Sequence, residues 1–139
     1  WTEYELSGPD YLRARTDGTH RDDMRTGLNR WSSPPVGYDV LSDPMFDQWY
    51  NALSWSVRTV RQAQAAATYE TAGGAHYNGH PSTLDIGHWV PAYGYFETDR
   101  NFTDGRFADS ATSLWAAPVE YFNYPAKSFV SNFLVAVVW

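Results

Sequence analysis

The chain contains no cysteine, which excludes disulfides, thiolate metal centres and any thiol chemistry performed by its own side chains. Positive charge is scarce. Ten Lys and Arg stand against sixteen Asp and Glu, for a net charge of −6. The densest basic set, Arg13, Arg15, Arg21, Arg25 and Arg30, is interleaved with Asp10, Asp17, Asp22 and Asp23. That pattern describes a solvated face, and it argues against a nucleic-acid groove, which needs clustered cations. Long apolar runs are also missing. The longest, Phe133 to Trp139, suits a buried strand, and no stretch reaches the length of a membrane span.

What is present is aromatic. Phe, Trp and Tyr make up 17% of the residues, with seven Trp and ten Tyr. Core packing uses most such rings, and a broad surface against a partner chain is their other common use. With 43% hydrophobic and 19% charged residues, the composition is that of a globular chain. Its 139 residues point to one domain, 1–139, with a core that needs no staples. Trp1 stands where a start methionine would, and no leader-type segment precedes it, so the reading expects a processed, secreted protein.

Three stretches organise the chain. Residues 1–18 form a turn-rich lead-in. Residues 19–60 are the helical part. Thr19 and Asp22 suggest a capping box ahead of a helix over 20–31, where Met24, Leu28 and Trp31 share a face. Asp43-Pro44 reads as the start of a second helix over 44–60, whose stripe is Phe46, Trp49, Tyr50, Leu53, Val57 and Val60. Residues 65–139 are the sheet part: strands over 65–71 and 88–96, a turn at Asp104-Gly105, a strand ending in Asp109, a helix near 125–132 and a last strand. Helices first and strands later predict an α+β fold with an antiparallel sheet. The loop over 72–87 is of a length that is usually either functional or mobile.

His88 is the first candidate for chemistry, because an imidazole at a loop–strand junction can face a cleft from a rigid support. Asp109 is the second. If the two strands pair as a hairpin, its carboxylate accepts a hydrogen bond from one ring nitrogen and stabilises the imidazolium. His76 and His80 are spaced as i and i+4, but Gly73, Gly74, Gly79 and Pro81 rule out the helix that would bring them together on zinc. Both read as surface loop histidines, Glu70 and Asp85 as possible oxygen ligands that nothing orders, and no metal or cofactor is expected. No Gly-x-Ser-x-Gly elbow occurs, and Ser7 in Ser7-Gly8-Pro9 has no supporting context as a nucleophile.

Gly87-His88-Trp89-Val90-Pro91-Ala92-Tyr93-Gly94-Tyr95, followed by Phe107-Ala108-Asp109-Ser110-Ala111-Thr112, resembles the papain-like cysteine peptidases related to double-glycine leader peptidases, in their secreted bacterial branch. Thr16-Asp17-Gly18-Thr19 and Leu28-Asn29-Arg30-Trp31 resemble that group's Gly-Thr loop and following helix, so the likeness spans most of 15–139. The resemblance implies a papain-like half-domain in which His88 is the catalytic base and Asp109 its orienting partner. It also implies a nucleophilic Cys and an oxyanion-hole Gln on a helix before the Gly-Thr loop, and no Cys stands there. Pro91 departs from a regular strand and suggests an edge position or a bulge. The expectation is therefore the larger chain of a processed thiol peptidase, with a short companion chain carrying Cys and Gln and acting on peptides or proteins. The alternative is a non-catalytic binding or inhibitor-type protein on the same fold. A metal-dependent hydrolase built on the loop histidines is the least supported reading.

Overall fold

The computed structural model describes residues 18–31 and 37–139. The lead-in up to residue 17, including Ser7, Thr16 and Asp17, lies outside the described residues. In chain order the elements are α1 (Arg21–Trp31), β1 (Val40–Ser42), α2 (Phe46–Trp55), which widens into a π turn over Ser56–Val60, β2 (Gln64–Glu70), β3 (Ile86–Thr98), β4 (Asn101–Ala108), a 3-10 turn over Ser110–Ser113, β5 (Tyr121–Pro125), α3 (Ala126–Asn132) and β6 (Leu134–Val138). The architecture is α+β. Among the described residues, six strands run in the order β1-β6-β2-β3-β4-β5, and each pairs antiparallel with its neighbours.

Period-two alternation sets the two faces of the sheet. Gln64, Ala66, Thr68 and Glu70 of β2 are all buried, while Ala65, Ala67 and Tyr69 turn to the other side and are half-buried or exposed. The inward face is covered by α2 and α3, whose Trp49, Leu53, Ala126 and Phe129 join Val90, Ala92, Phe107, Phe133 and Val137 in one core. The helix α1 packs on β6 and β1. Its Met24 and Leu28 line a hollow together with Ala65, Trp89 and Pro91 of the opposite face, and the Trp89 indole donates to the Thr19 carbonyl at 2.7 Å.

Much of the aromatic excess is core. Trp49 stacks on Phe107 and Phe129, and Phe107 lies 4.4 Å from Phe129 between ring centroids. Each such pair adds about 0.5–1.5 kcal/mol beyond the area it buries. Gly105 is what lets the rings close on the sheet. A Cβ there would come within 2.6 Å of Phe107 Cζ and 3.1 Å of Trp49 Cη2, and both rings are fully buried. Gly105→Ala is expected to cost about 1–3 kcal/mol through overpacking, read as a lowered urea midpoint at unchanged slope.

Several boundaries differ from the sequence expectation, each for a local reason. The first intrahelical bond of α1 runs from Met24 N–H to the His20 carbonyl, so the helix is capped one residue after Thr19. Asp43 adopts φ 46 and is not the cap of α2; Met45 is, and the Gln48 side chain accepts from its N–H at 2.9 Å. Asp104-Gly105 is not a turn. The reversal lies at Asp99-Arg100, where both residues take left-handed φ values of 51 and 65, as a two-residue hairpin loop demands. This lengthens both strands of the hairpin. Pro91 sits in a central strand and not at an edge. A bulge follows it, where Ala92 pairs with Phe107, Gly94 pairs with Arg106, and Tyr93 is the extra residue.

Candidate functional site

The β3–β4 hairpin carries the two residues singled out in the sequence to one place. The last pairing on that side is Ala92 with Phe107, so the chain past β4 runs alongside Val90 and His88. His88 Nε2 lies 2.9 Å from Asp109 Oδ1. His88 is part-exposed, and among the described residues only Nε2 of its ring is hydrogen-bonded. It lines a hollow of about 500 Å³ with Thr19, Asp22, Tyr69, Gly87 and Trp89.

Asp109 is buried and saturated with donors. Its Oδ1 accepts from His88 and from the Ala111 N–H at 2.8 Å, which caps the short 3-10 turn. Its Oδ2 accepts from Asn78 Nδ2 at 2.8 Å and from His80 Nε2 at 2.7 Å. Burial alone would push this carboxyl up. The donors from Asn78, Ala111, His80 and His88 outweigh burial and hold it below the usual carboxylate range.

The structure overturns the surface assignment of His80. Its side chain is fully buried, with Nδ1 on Glu70 Oε2 at 2.7 Å and Nε2 on Asp109. The Tyr77 ring packs 4.5 Å from it and Trp115 5.2 Å from it, centroid to centroid. Burial works against charge on this imidazole, but the two carboxylates prevail and raise its pKa above the ordinary value. Glu70 is ordered as well. It ends β2 on the inward face, fully buried, and its Oε1 accepts from the Tyr77 N–H at 3.0 Å. Asp85 accepts from the Ala72 N–H at 2.7 Å and takes no part in the cluster. His76 is half-buried, its ring held between the carbonyls of Gly74 and Leu84.

The loop places these groups by one tight turn. Asn78 and Gly79 both have positive φ, 51 and 70, and the His80 N–H returns to the Tyr77 carbonyl at 3.1 Å. The dipeptide Asn-Gly at the centre of such a turn is a sequence signal in itself. Asn78 then staples the far loop, exchanging hydrogen bonds with the Val119 backbone while it donates to Asp109. The Tyr77 hydroxyl meets Thr68 Oγ1 at 2.8 Å, and burial pushes that phenol well above its usual range.

His80, His88 and Asp109 each offer a ligand atom within 4.8 Å of the others, the spread that a divalent cation requires. Their short contacts are hydrogen bonds to a carboxylate that already accepts from Asn78 and Ala111. A cation bound at the two Nε2 atoms would have to displace the protons that bond them to Asp109. The cluster as it stands is a proton-bonded chain, Glu70–His80–Asp109–His88. Such a chain can hold a carboxylate ionised out of water and present an oriented imidazole at a hollow.

Comparison with protein-family models, with curated proteins and with solved structures finds no match, so the papain-like resemblance rests on the sequence motifs alone.

Proposed function

We propose that this chain supplies the base half of a papain-like thiol peptidase. The observation that carries the reading is the His88–Asp109 hydrogen bond of 2.9 Å, made through Nε2 while Nδ1 has no hydrogen bond among the described residues. In that arrangement Nδ1 accepts the proton of a cysteine thiol, and Asp109 stabilises the resulting imidazolium. The thiolate attacks a peptide carbonyl, and the imidazolium returns its proton to the leaving amine. Water then releases the acyl group from sulfur, with His88 acting again as base.

The thiol must come from outside this sequence, which has no Cys. A short companion chain bearing Cys and Gln in a secreted, proteolytically processed heterodimer is the assembly the reading calls for, with a peptide or protein as substrate. The same lack of Cys is what favours the second reading, a binding protein on this fold.

Material purified from its native source without tags separates the two. The peptidase reading expects a co-purifying polypeptide whose cysteine alkylates rapidly near neutral pH, and peptidase activity that His88→Ala lowers by about 10²-fold or more. A lone 15.8 kDa chain with no thiol partner and no turnover would sink it.

A further inference from the structure

The His88–Asp109 pair needs only one carboxylate and one imidazole, yet two more ionisable side chains are buried behind it. Proton counting shows what they do. Among the described residues, each nitrogen of His80 faces a carboxylate oxygen at 2.7 Å, from Glu70 on one side and from Asp109 on the other. An oxygen that accepts on both sides leaves the ring only one fully bonded state, the imidazolium, which donates twice. A neutral ring would set a lone pair against a carboxylate. As the imidazolium, the ring bridges two carboxyl groups whose side chains, like its own, are fully buried, where charge-assisted bonds are strongest and an unpaired charge is most costly.

We propose that His80, anchored by Glu70, is a positioning residue: through its bridge it locks Asp109 as a carboxylate with Oδ1 turned to His88, which holds His88 in the tautomer that leaves Nδ1 free. This rests on the reading of His88 as the base. The groups facing His80 come from every side of its pocket: Glu70 from β2, Asp109 from the end of β4, His88 from β3 and Tyr77 from its own loop. Asp109 cannot turn without breaking a bond to His80 or Asn78 on Oδ2, or to His88 or the Ala111 N–H on Oδ1. Of these four donors, His80 is the one tied to a second carboxylate on a different strand. The bridge therefore fixes the loop over 71–85 to both β2 and the end of β4.

Nuclear magnetic resonance of the isolated chain tests this without any thiol partner, so its outcome is independent of the peptidase experiment. Wild type, His80→Gln and Glu70→Gln are compared, each checked for native folding by near-ultraviolet circular dichroism. His80→Gln fills similar space and can still donate to Asp109, but it carries no charge. The expected result is a rise of about 1–3 units in the Asp109 midpoint, together with loss of the single Nε2–H form of His88 in its ring 15N shifts. Glu70→Gln, which leaves His80 in place, should lower the His80 midpoint and raise the Asp109 midpoint, as His80→Gln does. Should His80→Gln fail to fold, Glu70→Gln alone carries the test. Unchanged Asp109 and His88 signals in a folded variant would reduce His80 to a space-filler and overturn the proposal. Added Zn2+ that removes the ring N–H signals of both histidines at stoichiometric concentration would overturn it too, in favour of a cation site.

Discussion

Asp109→Ala is expected to lower stability by about 3–5 kcal/mol, the range found when one member of a buried charged pair is removed. Four donors lose their acceptor at once: His80, His88, Asn78 and the Ala111 N–H. Asp109→Asn should be milder but still harmful, because one of the two donor pairs must then face an amide NH2. Stability against pH gives the more diagnostic reading. Asp109 is held below its ordinary value of 3.8, so its contribution is present above that pH and is lost as pH falls through the native value. His80 is raised above its ordinary 6.5, so its contribution is full below that pH and is lost as pH rises through the native value. Both contributions coexist between about pH 4 and 6.5, where this cluster supports the fold most. Urea unfolding of wild type from pH 3 to 9 should show that dependence, and Asp109→Ala should flatten it on both flanks. An unaltered profile in the variant would mean that the charges of the cluster do not contribute to folding as argued.

The pairing of the His88 strand with the strand that leads to Asp109 was legible in the sequence because both lie on regular elements. His88 stands early in an alternating strand and Asp109 follows another, so a hairpin could bring them together. The spacing alone was weak, and it was the motif resemblance that singled the two out. His80 was not legible, for a physical reason. Glycines and a proline around it exclude a helix, and a histidine in such a segment is ordinarily a surface residue. What buries it is tertiary: Tyr77 inserts against Phe133 at 5.1 Å and Phe129 at 5.7 Å, drawing the loop onto the core. Two local signals pointed that way, namely the Asn78-Gly79 turn after an aromatic residue and the placement of Glu70 in register with Gln64, Ala66 and Thr68. The strand β5 was missed because Tyr121 to Pro125 alternates only weakly, with exposed and half-buried positions, and it pairs along a single neighbour, β4. Asp99-Arg100 lacks glycine and so gave no hairpin signal, while Asp104-Gly105 offered a false one.

Trp49→Ala is expected to cost about 3–5 kcal/mol, comparable to the loss of Asp109 although the residue lies outside the site. The side chain is fully buried and stacks on Phe107 and Phe129, with Phe102 edge-on at 5.2 Å. Its indole N–H donates to Gln64 Oε1 at 3.2 Å, and the Gln64 amide passes to Ser56 Oγ at 3.3 Å, in the π turn that ends α2. Removing the ring leaves a cavity and a buried acceptor with no donor, two penalties that add. Trp49→Phe keeps much of the ring but not the donor, and should cost about 1–2 kcal/mol. The two variants therefore separate packing from hydrogen bonding. The core rings also reach the site. Phe107 precedes Asp109 by two residues on β4, and Phe129 touches Tyr77, whose backbone N–H holds Glu70. Amide hydrogen exchange in Trp49→Ala should therefore quicken at Tyr77 and Asp109 as well as in α2, since the loop over 71–85 is held down by the rings that Trp49 supports. Acceleration confined to α2 would show that the site is braced by its own hydrogen bonds and not by the core beneath it.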